Sequence, residues 1–180
     1  MTEHDLYQLR YPIGEFEKPD SITSNHIDEW IRTIEDFPKR VKAITDGLSE
    51  EELNYQYRPD GWTIKQVVHH CADSHMNSII RFKLALTEDS PTIRPYFEDR
   101  WAKLTDYDHD IQLAMTILEG VHAKLGIVLR AIDSDQLKRE FIHPEHGKRF
   151  SIEETMGVYA WHSNHHFAHI EQALKHKGQF

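Results

Sequence analysis

The sequence predicts an all-α fold, a four-helix bundle, and three observations carry that prediction. Four long segments place apolar residues at helical spacing. Long crossovers join some of them, and strand signal is confined to one short stretch near residue 140. An irregular all-α domain built from the same helices is the runner-up. The chain has 180 residues with no Gly/Ser linker, low-complexity tract or long repeat, so residues 1–180 read as one domain. A chain of this size buries roughly 70% of its unfolded surface, enough for a real core.

The elements follow in order. Residues 1–21 contain Pro12, Gly14 and Pro19 and read as an extended arm. The first long helix covers about residues 24–48 through Ile27, Trp30, Ile31, Ile34, Phe37, Val41 and Ile44. Pro38 falls inside it and is expected to kink or split it, because proline has no N–H for the carbonyl four residues back. Ser49 and the glutamates after it form a short capped turn. In the second long helix, residues 64–87, Thr63 and Gln66 supply a capping box, and Pro91 and Pro95 lie beyond its end. They open a loop carrying Tyr96, Phe97 and Trp101. A third helix fits residues 110–132. Residues 139–150 read as a small hairpin-like crossover. Ser151 and Glu154 make a second capping box before the fourth helix, residues 152–177, which ends at Gly178.

Composition excludes several functions. Lysine and arginine total 21 against 30 acids, a net charge of −9 with histidine neutral. A nucleic-acid binder needs a basic stripe, and anionic lipid attracts basic segments. Cys71 is the one cysteine, so no disulfide forms within the chain and no all-thiolate zinc site is available. No apolar run approaches the roughly 20 residues of a membrane helix, and MTEHDLYQLR lacks a secretion-signal pattern. The expectation is a cytoplasmic protein that works on a small molecule, with neither nucleic acid nor membrane as partner.

The chain holds 14 histidines. On the second long helix, His70 lies at the edge of the apolar face in a row with Ser74, Asn77 and Arg81, while His69 points away and His75 sits nearer the core centre. On the fourth, His162 and His166 are four residues apart and stack one turn above the other. His169 shares their flank and His165 points further out. A pair at i and i+4 can hold one metal ion. If the two helices are neighbours, His70, His162 and His166 converge. Three neutral imidazoles with a fourth position open to water describe a catalytic metal site.

Competing constellations are weaker. A di-iron bundle needs two Glu-x-x-His repeats. Glu119 and His122 supply one, but Pro144 disfavours a helix for Glu140 and His143. Cys71 falls in the apolar stripe and reads as a small buried hydrophobe. Trp62, Trp161 and Tyr159 are more simply core than pocket wall. Arg81 could grip a carboxylate, although a surface ion pair is the plainer reading. Asp106, Asp108 and Asp110 lack the glycine and terminal glutamate of a calcium loop and suit helix capping better.

Residues 11–19 (YPIGEFEKP), 61–96 (GWTIKQVVHHCADSHMNSIIRFKLALTEDSPTIRPY), 143–144 (HP) and 161–172 (WHSNHHFAHIEQ) resemble the DinB/YfiT group of small helical metalloproteins, its YfiT branch most closely. The resemblance implies a four-helix bundle with one divalent metal per chain, zinc or nickel, held at the positions of His70, His162 and His166. It also implies a cytoplasmic, homodimeric metal-dependent hydrolase. Relatives in the wider superfamily transfer low-molecular-weight thiols such as bacillithiol, so a thiol S-transferase is the alternative. A non-enzymatic metal-binding protein is the third reading. No catalytic general base identifies itself, with His69, His165 and His169 candidates only by proximity.

Overall fold

A computed structural model describes residues 1–145 and 147–180. Its helices are α1 (Glu3–Arg10), α2 (Ser24–Thr45), α3 (Glu50–Leu53), α4 (Ile64–Thr87), α5 (Glu98–Trp101), α6 (Gln112–Arg130) and α7 (Ile152–His176). The four long ones pack as a bundle in which α2 and α4 each lie against both α6 and α7. The neighbouring of α4 and α7, on which convergence of the histidines depends, is therefore present.

Local signals set the helix ends. The Thr63 hydroxyl accepts from the Gln66 N–H and the Gln66 side chain accepts from the Thr63 N–H, so α4 begins where its capping box stands. Ser49 and Glu52 do the same for α3. At α7 only half of the expected box forms. The Ser151 hydroxyl accepts from the Glu154 N–H, but the Glu154 carboxylate turns to Lys148 and Lys18. Asp110 Oδ1 accepts from the Gln112 N–H and so caps α6. By length and composition α6 is apolar enough to cross a membrane, contrary to the sequence expectation. Its place between α2 and α4 accounts for that composition, with Ala114, Met115, Leu118, Leu125 and Leu129 buried.

Two further expectations are corrected. Residues 3–10 of the supposed extended arm are helical, because Thr2 and Asp5 form a capping box and the breakers begin only at Pro12. Beyond Arg10 the arm is irregular and lies along α7, where the Trp161 indole donates to the Gly14 carbonyl and Lys18 pairs with Glu154. Pro38 does not split its helix either: α2 runs unbroken from Ser24 to Thr45 with Pro38 buried.

The expected hairpin is present as β1 (Glu140–His143) and β2 (Lys148–Ser151), antiparallel with Phe141 opposite Phe150. The loop after α4 is tied to it. The Ile142 N–H donates to the Pro91 carbonyl and the Ile93 N–H to the Ile142 carbonyl, so loop and hairpin form one wall.

The core is in two parts. One gathers Phe37, Val41, Val68, Cys71, Leu118 and Ile170. The other gathers Ile34, Phe82, Leu125, Leu129, Ile152 and Met156. Between them in sequence on α4, α6 and α7 stand His75, His122 and the histidines at 162, 165 and 166, all but His162 fully buried. A polar layer thus interrupts the apolar interior.

Two glycines predict opposite outcomes. A Cβ on Gly157 would come within 2.9 Å of the Phe16 ring and 3.0 Å of the Trp30 ring. Gly157→Val should cost about 1–3 kcal/mol by overpacking. Gly120, exposed on α6 with nothing within 4 Å of a built Cβ, should gain about 0.5–1 kcal/mol as Ala. Urea midpoints measure both. Glu154 gives a pH test. Burial opposes its charge, but Lys148 and Lys18 outweigh burial and hold its carboxyl below the ordinary range. Its contribution is present at neutral pH and is lost as pH falls through that lowered value. The stability gap between wild type and Glu154→Gln should therefore be open at pH 7 and narrow as pH falls through that lowered value.

Candidate metal centre

Burial comes first. It drives the pKa of His70, His122 and His165 down to about 4 and of His169 to about 3, and those of His75, His162 and His166 well below the ordinary value. Each ring is therefore neutral at pH 7, with one N–H donor and one lone-pair acceptor. In a chain of such rings, fixing one end fixes every proton.

One chain ends on α2. Proline 38 has no N–H, so the carbonyl of Ile34, four residues earlier, loses its helical partner. His122 Nδ1 lies 2.5 Å from that carbonyl oxygen. A carbonyl only accepts, so His122 donates from Nδ1 and accepts at Nε2. His75 Nδ1, 2.5 Å from His122 Nε2, is then the donor and His75 Nε2 the acceptor. His162 Nδ1, 3.1 Å from His75 Nε2, donates in turn. That leaves the lone pair of His162 on Nε2.

A second chain ends on the N-terminal segment. His169 Nε2 lies 3.0 Å from the Arg10 carbonyl oxygen and must donate. His169 Nδ1 accepts from His166 Nδ1 at 3.3 Å. The lone pair of His166 is therefore also on Nε2.

The first chain ends beside His70 and Ser74. His162 Nε2 lies 3.3 Å from His70 Nε2 and 3.4 Å from the Ser74 hydroxyl. Ligand nitrogens of His70, His162 and His166 fall within 4.8 Å of one another. Two nitrogens each about 2.0–2.1 Å from a tetrahedral zinc ion are about 3.3 Å apart, so the spacing suits a divalent cation. His70 Nδ1 is buried with no hydrogen-bond partner among the described residues, and its ring rests on Trp62 at 4.7 Å. His165, His166 and His169 also lie within ligand distance of one another, but neither His165 nor His169 reaches the cavity that His70, His162 and His166 line. His70, His162 and His166 are the candidate donor set.

These three histidines line a cavity of about 720 Å³. Trp62, Trp161 and Tyr159, read from sequence as core, line it too, with Tyr96 from the loop and Phe141 and Phe150 from the hairpin. Its acids, Glu98 and Glu145, are exposed.

The remaining predicted residues fall elsewhere. His69 is buried rather than pointing away, its Nε2 donating to the His109 carbonyl. His165 is buried against Trp161. Neither lines the cavity, nor does His169. Glu119 is exposed and pairs with Lys42 at 3.7 Å, while His122 turns inward, so the carboxylate and the ring do not converge. Cys71 is buried in the core and burial pushes its thiol up. Arg81 makes no surface ion pair among the described residues. It faces the cavity instead. Sequence reasoning missed His75 and His122 as a relay. The available signal was a histidine at the core centre, together with a proline four residues after Ile34.

Fold and site together define a helical bundle built to present imidazole nitrogens to a cavity. The comparisons specify it further. The DinB superfamily profile matches residues 33–170, and the chain belongs to that superfamily. An Oceanobacillus iheyensis protein is 46% identical over 168 residues, covering 93% of this chain and 97% of its own. YfiT of Bacillus subtilis is 42% identical over 171 residues, covering 94% and 96%. Both carry provisional names as metal-dependent hydrolases. The solved structure of YfiT matches with a TM-score of 0.91 over 95% of this chain and 98% of that one. It is described as a probable metal-dependent hydrolase with an unusual four-helix bundle topology.

The relay predicts effects at a distance. His122→Leu and His75→Phe should weaken zinc binding by about 10–100-fold, the usual loss when an outer partner of a ligand is removed. Pro38→Ala restores an N–H that competes for the Ile34 carbonyl. It should weaken zinc binding by a smaller factor while improving the helix. His69→Ala should leave affinity unchanged. Competition with a chromogenic chelator measures all four.

Proposed function

We propose that the protein is a metal-dependent hydrolase whose cation is held by His70, His162 and His166. One observation carries this reading: a ligand nitrogen from each of His70, His162 and His166 lies within 4.8 Å of the others, on the wall of a cavity large enough for a small-molecule substrate. A divalent cation bound there, zinc or nickel, would supply Lewis acidity and bring the pKa of a water molecule to roughly 7. All three donors are neutral, so they leave the charge of the cation undiminished. Imidazole sets suit zinc and nickel alike.

The residues around the donors support the same chemistry. Ser74, beside His162 Nε2, offers a hydroxyl to a substrate oxygen or a water. Trp62, Tyr96, Phe141, Phe150, Tyr159 and Trp161 form the aromatic part of the wall. Cys71 is buried in the core away from the cavity and supplies no nucleophile. Catalysis without a protein nucleophile is what a cation-activated water provides.

Metal analysis with activity tests the proposal. Wild type purified without chelator should hold about one ion per chain. His70→Ala, His162→Ala and His166→Ala should each lose it with the helical spectrum retained. Hydrolysis of an ester or amide panel should vanish with chelator, return with zinc and be absent in the three variants. An empty wild type, or several loosely held ions that survive all three substitutions, would remove the site. Product that forms only when bacillithiol is added would reassign the chemistry to thiol transfer.

A further inference from the structure

Arg81 lines the same cavity with no counter-ion among the described residues. It lies three turns beyond His70 on α4. Its Nη1 donates to the Tyr159 hydroxyl at 3.2 Å, and its Nε is buried with no partner among the described residues. None of the ion pairs among those residues includes it. Glu98 and Glu145 line the cavity from exposed positions and do not reach it. The Tyr159 phenol cannot serve as counter-charge, because burial keeps it protonated.

A guanidinium has five donors in a planar fork that matches a carboxylate or phosphate. Leaving such a charge unpaired in a partly desolvated place is costly unless a ligand brings the opposite charge. Tyr159 connects this end of the cavity to the other, its ring 5.8 Å from that of His162. Phe141, Phe150, Trp62 and Val158 provide apolar wall. At one end stand neutral imidazoles that leave a cation's charge undiminished, and at the other stands Arg81. Arg81 is thus the fixed positive charge of the cavity wall, while Glu98 and Glu145 stand at exposed positions.

We propose that Arg81 is the anion subsite of this cavity. It binds a carboxylate or phosphate group at the far end of a substrate that has an apolar body. The scissile bond of that substrate lies at His70, His162 and His166. The choice of scissile bond rests on the hydrolase reading. The anion subsite rests on Arg81 alone.

Hydroxamates test it, because a hydroxamate chelates zinc and can carry a tail. Three tails are compared on the zinc-loaded protein: carboxylate, phosphonate and neutral carboxamide, each on spacers of roughly two to six methylenes. Displacement of a bound fluorescent hydroxamate gives the affinities. At the best spacer, an anionic tail should bind at least about tenfold tighter than the carboxamide. The better of the two anions identifies the substrate's acid group. Arg81→Met should abolish that ratio with zinc content retained, and Arg81→Lys should keep part of it. Equal affinity for anionic and neutral tails at every spacer, or a ratio that survives in Arg81→Met, would overturn the subsite. Absence of all hydrolysis alongside an intact ratio would overturn the hydrolase reading and leave the subsite standing.

Discussion

The organisation of this protein turns on one unpaired carbonyl. Pro38 takes an N–H out of α2, and the Ile34 oxygen is left facing the bundle interior. An unpaired buried carbonyl is costly, on the order of 1–3 kcal/mol. His122 meets that need from the opposite helix. Because a carbonyl cannot donate, direction enters the network there and passes through His75 to His162. A proline in a helix interior is ordinarily a defect. Here the defect is the source of polarity for a chain of otherwise reversible rings. Arg10 plays the same part for His169 and His166.

This arrangement explains why the core is divided. An all-apolar bundle would pack Leu or Phe where His75 and His122 stand, and would gain burial without the risk of unmet hydrogen bonds. The histidine layer between the two apolar clusters is tolerated because His75, His122, His162 and His169 each hydrogen-bond through both ring nitrogens. Phe37 packs on both His75 and His122, at 5.3 and 5.6 Å between ring centres, and so holds their planes. Such a network is stiff. The ring nitrogens are set by packing and hydrogen bonds before any ligand arrives.

The sequence disclosed the parts that depend on near neighbours. The ends of α4 follow from Thr63, Gln66 and the prolines beyond Thr87. The stacking of His162 and His166 follows from 3.6 residues per turn, and the row His70–Ser74–Arg81 from the same period. What it did not disclose depends on distant partners. The proton on His162 is decided by a proline 124 positions earlier in the chain, through two rings on two other helices. The destination of Arg81 depended on which acids fold near it, and periodicity does not say. His69 and His165 were read as outward-pointing, but a 3₁₀ turn at Thr105–Asp108 and the N-terminal segment cover them. A helical wheel has no knowledge of what lies outside the bundle.

The N-terminal segment shows the point from another side. No residue of α1 is fully buried, and its first turns look expendable to anyone choosing where to attach a tag or trim a chain. Yet Arg10 gives its carbonyl to His169 and Leu9 gives its own to Gln172. The segment holds the protonation pattern of a histidine one ring away from the cavity. Trimming the chain back to Tyr11 would remove both carbonyls and act as an unintended substitution beside the cavity. A preparation altered there could be folded, helical and pure, and still present the wrong nitrogen.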